Sequence, residues 1–496
     1  MPAFPRQAAL RRHRPRTPDF GGLRASGLNV EEASLSAYLP ARPTGREAPP
    51  LGVVRPRGTQ EVAALVRWAR EQGMALTTFS SAPGPRRRGA TAEQPTLFVD
   101  LGGMDQMLKV DGQDAVAVIE PGVTFGALDA LLAPQGLRAF KPLLPRAGKS
   151  VLASYLEREP TLQSSEQWDV VDPFGGAQLV FGTGETFRTG GAAISGSLDE
   201  NWAAGLRYLT AVGPAGTDFL RVVQGSQGTL AILCWAAILC ERLPLLEEAC
   251  FVGADSLAPL ARLSLELHRR RIGRATFIAS GVHLAAVLET EPERIAEVAA
   301  GLPPFVLYVQ LAACSEFPEE RIAYQREDLA HLAAKAGLAA VDELGGRSAQ
   351  EISALQARPP ADDYKDRIAG AHRSVFFLTQ LDRVERFVAL AQERVARAPG
   401  VTLSVYVQPR LHGRNCHLEF VLAHDPDATF AVAAADGIAA DLAEACCAQG
   451  GFFSRPYGAW AEMAFRRNST ILPLLRETKS IFDPDHILNP GRLGFQ

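Results

Sequence analysis

The sequence predicts an α+β protein built as two domains. Three observations carry this. Residues 45–135 read as short strands interleaved with two helices. The pattern changes near residue 245. From 249 to about 450 longer helices alternate with longer strands. At 496 residues the chain is long enough for two or three domains with full cores.

In order, LGVV (51–54) is a strand. RPRGTQEVAALVRWAREQG (55–73) is a helix that Thr59 can cap, with Val62, Leu65, Val66 and Ala69 on one face and Gly73 at its end. MALTTFSS (74–81) is a strand running into the loop APGPRRRGAT (82–91). TLFVDL (96–101) and AVAVIEPG (115–122) are strands, and TFGALDALLAPQG (124–136) is a helix. Residues 140–190 are turn-rich and return to alternating runs around a GTGE (182–185) hairpin turn. RVVQGSQGTLAILCWAAILC (221–240) hinges on glycines and runs into an apolar strand. Beyond it, strands are expected at 251–254, 306–314, 374–381, 402–409 and 415–423. Helices are expected at 256–272, 318–337, 383–398 and 428–448. This βαβ-like alternation suggests a sheet with helices on one face.

Composition narrows the function. The formal charge is −4, from 51 basic and 55 acidic residues, which argues against a nucleic-acid coat or a lipid-surface protein. Six of the basic residues are lysine and 45 arginine, the bias of a GC-rich genome. The seven cysteines form no C-x-x-C and no zinc or iron–sulfur spacing, so a reducing, cytoplasmic setting is expected. No run of 18 apolar residues occurs, so no membrane insertion is expected. The first 22 residues carry five arginines and several prolines without an apolar stretch. This is no secretory signal, and residues 1–44 are expected to be a tail, disordered at its start. G-x-G-x-x-G after a first strand, Walker, G-x-S-x-G and H-E-x-x-H motifs are absent, which disfavours Rossmann dehydrogenases, kinases and zinc proteases.

Four small-residue turns follow strands: VIEPGVTFGALDALL, VFGTGETFRTG, QGSQGTLAIL and DPDHILNPGRLG. Together and in this order they resemble the vanillyl-alcohol oxidase superfamily, flavoproteins with the p-cresol methylhydroxylase fold, across residues 50–496. The resemblance implies an FAD-binding domain at 45–245, an α+β cap or substrate domain at 246–451, and a C-terminal segment, 452–496, that returns to the FAD-binding domain. The implied cofactor is FAD. Its implied contacts are Ser80, Ser81, Ala82 and Gly84 in the pyrophosphate loop, Pro121 and Gly122, Ser150 and Ser154. Further on they are Gly225, Ser226, Gly228, Thr229 and Ile232, then Asn489 and Arg492. The loop SSAPGPRRRG departs from the family in being glycine-poor. Pro83 and Pro85 lack N–H donors, and Arg86–Arg88 can compensate by charge.

Two branches bear comparison. SVLASYLEREPTLQSSEQWDVVDPFGGAQLVFGTGETFRTGGAAI (150–194) is similar to the 4-alkylphenol branch, whose pattern is L-E-R-G, then G-D-H, then an R-T-G segment. Leu156–Arg158 and Arg188–Gly190 match. Glu166 falls where that branch has an aspartate beside the flavin, and benzylic oxidation leaves a quinone methide whose hydration needs a general base. Arg455 matches the phenolate-binding arginine, with Ser454 in place of the tyrosine and Tyr457 as its substitute. GAHRSVFF (370–377) is similar to the segment whose histidine carries the flavin covalently, which points to His372. The D-2-hydroxyacid branch holds a divalent metal through a GDGNLH-like strand and an S-x-E-H-G motif. Here HGRNCHLEF (412–420) keeps Asn415 and His417, while Pro456 and Tyr457 replace the acid and histidine of the second motif, so no metal is expected. The implied catalytic residues are Glu166, Arg455, Tyr457 and His417. The expected function is oxidation of a small phenolic or anionic alcohol by hydride transfer to FAD. The alternatives are a D-2-hydroxyacid dehydrogenase and a flavin-free scaffold subunit. A small-molecule substrate is the expected partner; a homodimeric mate and a separate electron-acceptor protein stay open.

Overall fold

The computed structural model describes residues 18–32, 50–82 and 94–494, apart from 164, 168, 170, 208, 209, 214–217 and 469. Three sheets organise it. A parallel three-stranded sheet runs Gly52–Val54, Thr96–Asp100, Ala75–Phe79. An antiparallel five-stranded sheet runs Met107–Asp111, Val116–Ile119, Ala231–Leu239, Phe174–Phe181, Thr186–Arg188. The helix Thr59–Gln72 buries Val62, Leu65, Val66 and Ala69, as its periodicity requires, and ends at Gly73 with φ +64°. Its N-cap is Gly58, not Thr59, which is already helical. The strand Met107–Asp111 escaped the sequence reading: it is an edge strand in which four of five residues are half-buried, so no apolar run marks it.

Part of the expected tail packs on the fold. Residues 18–32 include the short helix Gly21–Ala25, which buries Leu23 and Leu28 in the core of the parallel sheet. Phe20 stacks on Trp68 at 5.6 Å, and the Trp68 indole N–H donates to the Asp19 carbonyl at 2.9 Å. These apolar positions are too few for a periodic signal, yet they suffice to dock the segment.

The seven-stranded sheet is antiparallel throughout. Its order is Ala340–Val341, Leu246–Ala254, Phe305–Ala313, Ala275–Ser280, Val401–Arg410, Asn415–His424, Ala371–Thr379. Of the helical crossovers, the one through 383–398 was inferred from the sequence, while the one through 256–272 returns on the strand Ala275–Ser280, which the sequence reading did not contain. Leu246–Ala254 and Ala275–Ser280 flank the helix Leu257–Arg270, and Ala371–Thr379 and Val401–Arg410 flank the helix Val384–Val395. In both units a third strand inserts between the parallel pair and runs against both, a split βαβ arrangement. Helices Leu257–Arg270, Pro318–Lys335, Val384–Val395 and Thr429–Ala448 cover one face. The other face is covered in part by Gly281–Leu288, Pro292–Ala300 and Gln350–Ala357. Helices thus lie on both faces, not one, and the uncovered part of the second face looks into a cavity.

The C-terminal segment crosses back to the parallel sheet. Leu76 N–H donates to the Ile487 carbonyl and Asn489 N–H to the Leu76 carbonyl, both at 2.8 Å. Lys479, 1% exposed, ion-pairs with Asp483 and donates to the carbonyls of Thr229 (2.7 Å) and Leu488 (3.2 Å). Among the described residues no helix is long and apolar enough to cross a membrane.

Candidate active site

A cavity of about 770 Å³ separates the glycine-turn loops of the first 245 residues from the uncovered face of the seven-stranded sheet. Its lower wall is formed by the loops around the strands of the first 245 residues. Ser80 and Ser81 follow the strand Ala75–Phe79; Pro121 follows Val116–Ile119; Gly225, Ser226, Gly228 and Ile232 lead into Ala231–Leu239. Asn489 locks these loops together. Its Oδ1 accepts from Thr78 N–H, and its Nδ2 donates to Thr78 Oγ1 and the Gln227 carbonyl, each at 3.0 Å. Arg492 donates to the same carbonyl at 3.1 Å. Gly225 and Gly228 have φ of +83° and +70°. A Cβ on Gly228 would stand 2.3 Å from Asn489 Nδ2, so no other residue fits without displacing that clasp.

The remaining predicted cofactor residues stand one step behind this wall. The Ser150 hydroxyl donates to the Pro121 carbonyl and accepts from Ala153 N–H at 3.1 Å, capping the helix Val151–Leu156; Ser150 N–H donates to Ser81 Oγ at 3.0 Å. Gly122 packs so tightly that a Cβ would meet the Gly102 carbonyl at 2.4 Å. Thr229 Oγ1 donates to the Ser226 carbonyl at 2.7 Å, Ser154 Oγ donates to Glu159, and the Ala82 carbonyl accepts from Arg146 at 2.7 Å. Gly84, with Pro83, Pro85 and the arginine run, lies outside the described residues. The Ser226 hydroxyl is buried and has no partner among the described residues. A loop-lined cleft with positive-φ glycines and an unpaired buried hydroxyl fits a long polar cofactor such as FAD.

The upper wall carries the charged and aromatic side chains. The register of Val401–Arg410 against Asn415–His424 puts Tyr406 opposite Glu419 and Gln408 opposite His417, all on the cavity face. Arg455 lies over the Phe376 ring, 4.3 Å from its centroid, and its Nη2 is 3.4 Å from His417 Nδ1. A guanidinium only donates, so Nδ1 accepts and Nε2 carries the proton toward Glu419 Oε2 at 3.5 Å. The other Glu419 oxygen takes Lys365 Nζ at 2.7 Å. Burial pushes His417 down to about 4 despite Glu419 nearby, so the imidazole is neutral. Burial opposes the charge of Glu419, but Lys365 and His417 outweigh it and hold the carboxyl well below its usual range. Behind this wall His283 is fully buried and stacks on Tyr406 at 5.3 Å. Its ring nitrogens contact Ser404 Oγ (2.9 Å) and Tyr364 OH (3.0 Å).

A family profile described as an FAD binding domain matches residues 50–190. An FAD-linked oxidoreductase of Mycobacterium tuberculosis is 23% identical over 464 residues, covering 90% of this chain and 92% of that one. Two solved structures share the architecture over nearly the whole chain. A 4-ethylphenol oxidase from Gulosibacter chungangensis has a TM-score of 0.78 at 19% identity and 94% coverage of both chains. A p-cresol methylhydroxylase has 0.79 at 16% identity and 95% coverage of both. This chain is an FAD-dependent oxidoreductase of the p-cresol methylhydroxylase fold. D-2-hydroxyglutarate dehydrogenase of Stutzerimonas stutzeri is 24% identical, over 42% of each chain.

In the oxidoreductase the structure gathers Arg455, Tyr457, His417 and His372 around the cavity and leaves Glu166 out. Glu166 is 40% exposed at its side chain and ion-pairs with Arg274 at 3.4 Å. Its rivals fare no better: Asp169 pairs with Arg221, and Asp172 accepts from Asp169 N–H at 2.7 Å. Two carboxylates of this segment do line the cavity, Glu157 and Glu159, and Glu159 is paired with Lys149 and bonded by Ser154. Burial raises its pKa, but Lys149, Ser154 and Arg455 prevail and bring it to about 2. Glu159 replaces the glycine of L-E-R-G, and that mismatch was the available signal. Lys365 and Tyr364, in an irregular stretch, gave none. His372 Nδ1 is 2.6 Å from Asp366 Oδ1, which leaves Nε2 as the ring's nucleophilic nitrogen. Among the described residues no three His, Cys, Asp or Glu side chains are placed to hold a metal.

Proposed function

We propose that this oxidoreductase oxidises a small phenolic or otherwise anionic alcohol. One observation carries the reading. Arg455 is 8% exposed, lines the cavity, and has no carboxylate within ion-pairing distance among the described residues. Two other cations of the cavity are paired, Lys149 with Glu159 and Lys365 with Glu419. A buried guanidinium left over in this way suits one anionic group of a ligand. Phe376, Tyr406, Tyr457 and Trp460 supply flat apolar walls for an aromatic ring.

FAD, when bound, supplies a two-electron hydride acceptor. The chain's own residues bind and orient. Arg455 holds the phenolate or carboxylate. His417, fixed between Arg455 and Glu419, sets the direction of the guanidinium. The Glu159 carboxylate accepts the substrate's hydroxyl hydrogen bond in place of Glu166. His372 is the proposed point of flavin attachment.

The 2-hydroxyacid reading draws on the same cation and on the partial relatives. It needs a metal that His417 and Glu419 would bind, and these two groups are already committed to Arg455 and Lys365. Mixing the FAD-loaded protein anaerobically with 4-alkylphenols, 4-hydroxybenzyl alcohols and D-2-hydroxyacids tests the choice. Flavin bleaching by the phenolic set, unaffected by EDTA, is expected. Bleaching by hydroxyacids alone, lost with EDTA and regained with zinc or manganese, would reverse it.

A further inference from the structure

One side chain ties the two walls of the cavity together. Gln227 lies in the turn 225–228 of the lower wall, and its Nε2 donates to the Pro456 carbonyl at 2.6 Å. Gln227 lines the cavity with Gly225, Ser226 and Gly228, and Pro456 directly follows Arg455. A proline has no N–H, so this carbonyl is the only backbone hydrogen-bonding group at position 456.

The turn holds Gln227 in a conformation that a side chain disfavours. Its φ is +54°, between Gly225 at +83° and Gly228 at +70°. Its carbonyl accepts from Asn489 Nδ2 at 3.0 Å and from Arg492 at 3.1 Å, which fixes the peptide. Glycine would take this backbone without strain. What glutamine adds is the amide that reaches Pro456.

Pro456 ends the strap 452–456. At its start Leu378 and Phe452 exchange both backbone hydrogen bonds, at 2.8 and 3.0 Å, on the edge of the seven-stranded sheet. Phe453 stacks on Phe377 at 5.4 Å. Arg455 is thus carried between an attachment to the large sheet and an attachment to the turn 225–228. Its guanidinium meets Phe376 and His417, a ring face at 4.3 Å and a long hydrogen bond at 3.4 Å. Contacts this soft let the guanidinium follow its backbone, and a displacement of about 1 Å in a binding group costs up to roughly a hundredfold.

We propose that Gln227 is a positioning residue for Arg455. By fastening Pro456 to the turn 225–228 it sets where the guanidinium stands in the cavity, and so how tightly an anionic substrate group is held. This rests on the reading of Arg455 as the anchor of that group.

The test uses FAD-loaded protein, with benzoate as the anionic probe and benzamide as its neutral counterpart. Binding is followed by perturbation of the flavin spectrum, and the strap by amide hydrogen exchange at 452–458. Gln227→Met keeps the length of the side chain and removes the donor. It is expected to weaken benzoate about three- to tenfold, the worth of one hydrogen bond, and benzamide less than about twofold. Exchange at 452–458 should be faster than in wild type. Gln227→Gly, which relieves the positive φ, should behave alike and serves if the Met variant folds poorly. In an Arg455→Ala background Gln227→Met should cost benzoate nothing further, because it acts through the missing group. Additive losses, or an equal loss for benzamide, would overturn the proposal. The two readings fail separately. Unchanged benzoate affinity and unchanged exchange in Gln227→Met, with benzoate weakened by Arg455→Ala, removes the positioning role alone. Benzoate binding that Arg455→Ala leaves intact, with exchange still faster in Gln227→Met, removes the reading of Arg455 and keeps the strap.

Discussion

Arg455 and Glu159 reach the cavity from segments almost three hundred residues apart, and their expected roles differ. Arg455→Lys keeps the charge but loses the planar fork. It should raise KM for an anionic substrate, and Arg455→Ala should raise it about ten- to a hundredfold, the equivalent of roughly 1.5–3 kcal/mol for a bond to a charged group. Steady-state kinetics check this; an unchanged KM would place the anion elsewhere. Glu166→Gln should leave kcat within about twofold, because its partner is Arg274 at the surface. Glu159→Gln should lower kcat roughly tenfold or more. The reverse ranking would restore the sequence assignment. Arg455 was legible because it keeps its place in a motif. Glu159 was not, because it occupies a slot where that motif has no side chain, and only folding shows which carboxylates of the 157–172 loop turn inward.

Among the structural elements, the turn 225–228 and the strand Ala371–Thr379 carry the clearest consequences. Gly228→Ala adds a methyl against Asn489 Nδ2 at a positive φ. The purified variant should contain less than half the FAD of wild type while its far-ultraviolet circular dichroism is unchanged. A fully loaded variant would show that the Asn489 clasp is dispensable. His372 opens the strand Ala371–Thr379, and if it carries the flavin, acid-precipitated wild type stays yellow and His372→Ala releases the colour. Colourless wild-type precipitate would dispose of the tether. Many helices and strands were visible as periodicity, including the crossover between Ala371–Thr379 and Val401–Arg410, but the strand Ala275–Ser280 that completes the other crossover was not. The direction of pairing was not visible either, since a strand inserted from elsewhere leaves no mark on the two strands it separates.

Across the whole molecule, two neutral histidines make stability sensitive to acid. Burial, reinforced by Lys365, pushes His283 down to about 3, and His417 lies at about 4. An unfolded histidine titrates near 6.5. Between these values the unfolded chain binds protons that the folded one refuses, so stability is fully present above about 6.5 and falls as pH drops toward 4. Each residue contributes up to about 1.4 kcal/mol per pH unit in that window. Melting temperature against pH should show this fall, and His283→Gln should flatten it. An unchanged slope would mean that the histidine does not stay neutral in the fold. The same substitution should also loosen Tyr364 and Tyr406, which His283 braces.

The tail of the chain has a bearing on biogenesis. Residues 487–492 finish the turn that Thr78 and Gln227 began, and Lys479 pins them beneath Thr229. The polypeptide is synthesised from its amino end, so the parallel sheet and the large sheet emerge first and can fold while translation continues. The cavity wall is therefore incomplete until residues 479–492 have been made. If the proposed FAD site is this cavity, FAD capture is expected to follow synthesis of residues 479–492. Ribosome-stalled chains ending before Lys479 should take up no FAD, and the same chains completed and released should acquire it. Capture by the stalled chains would show that the pocket forms without the C-terminal segment.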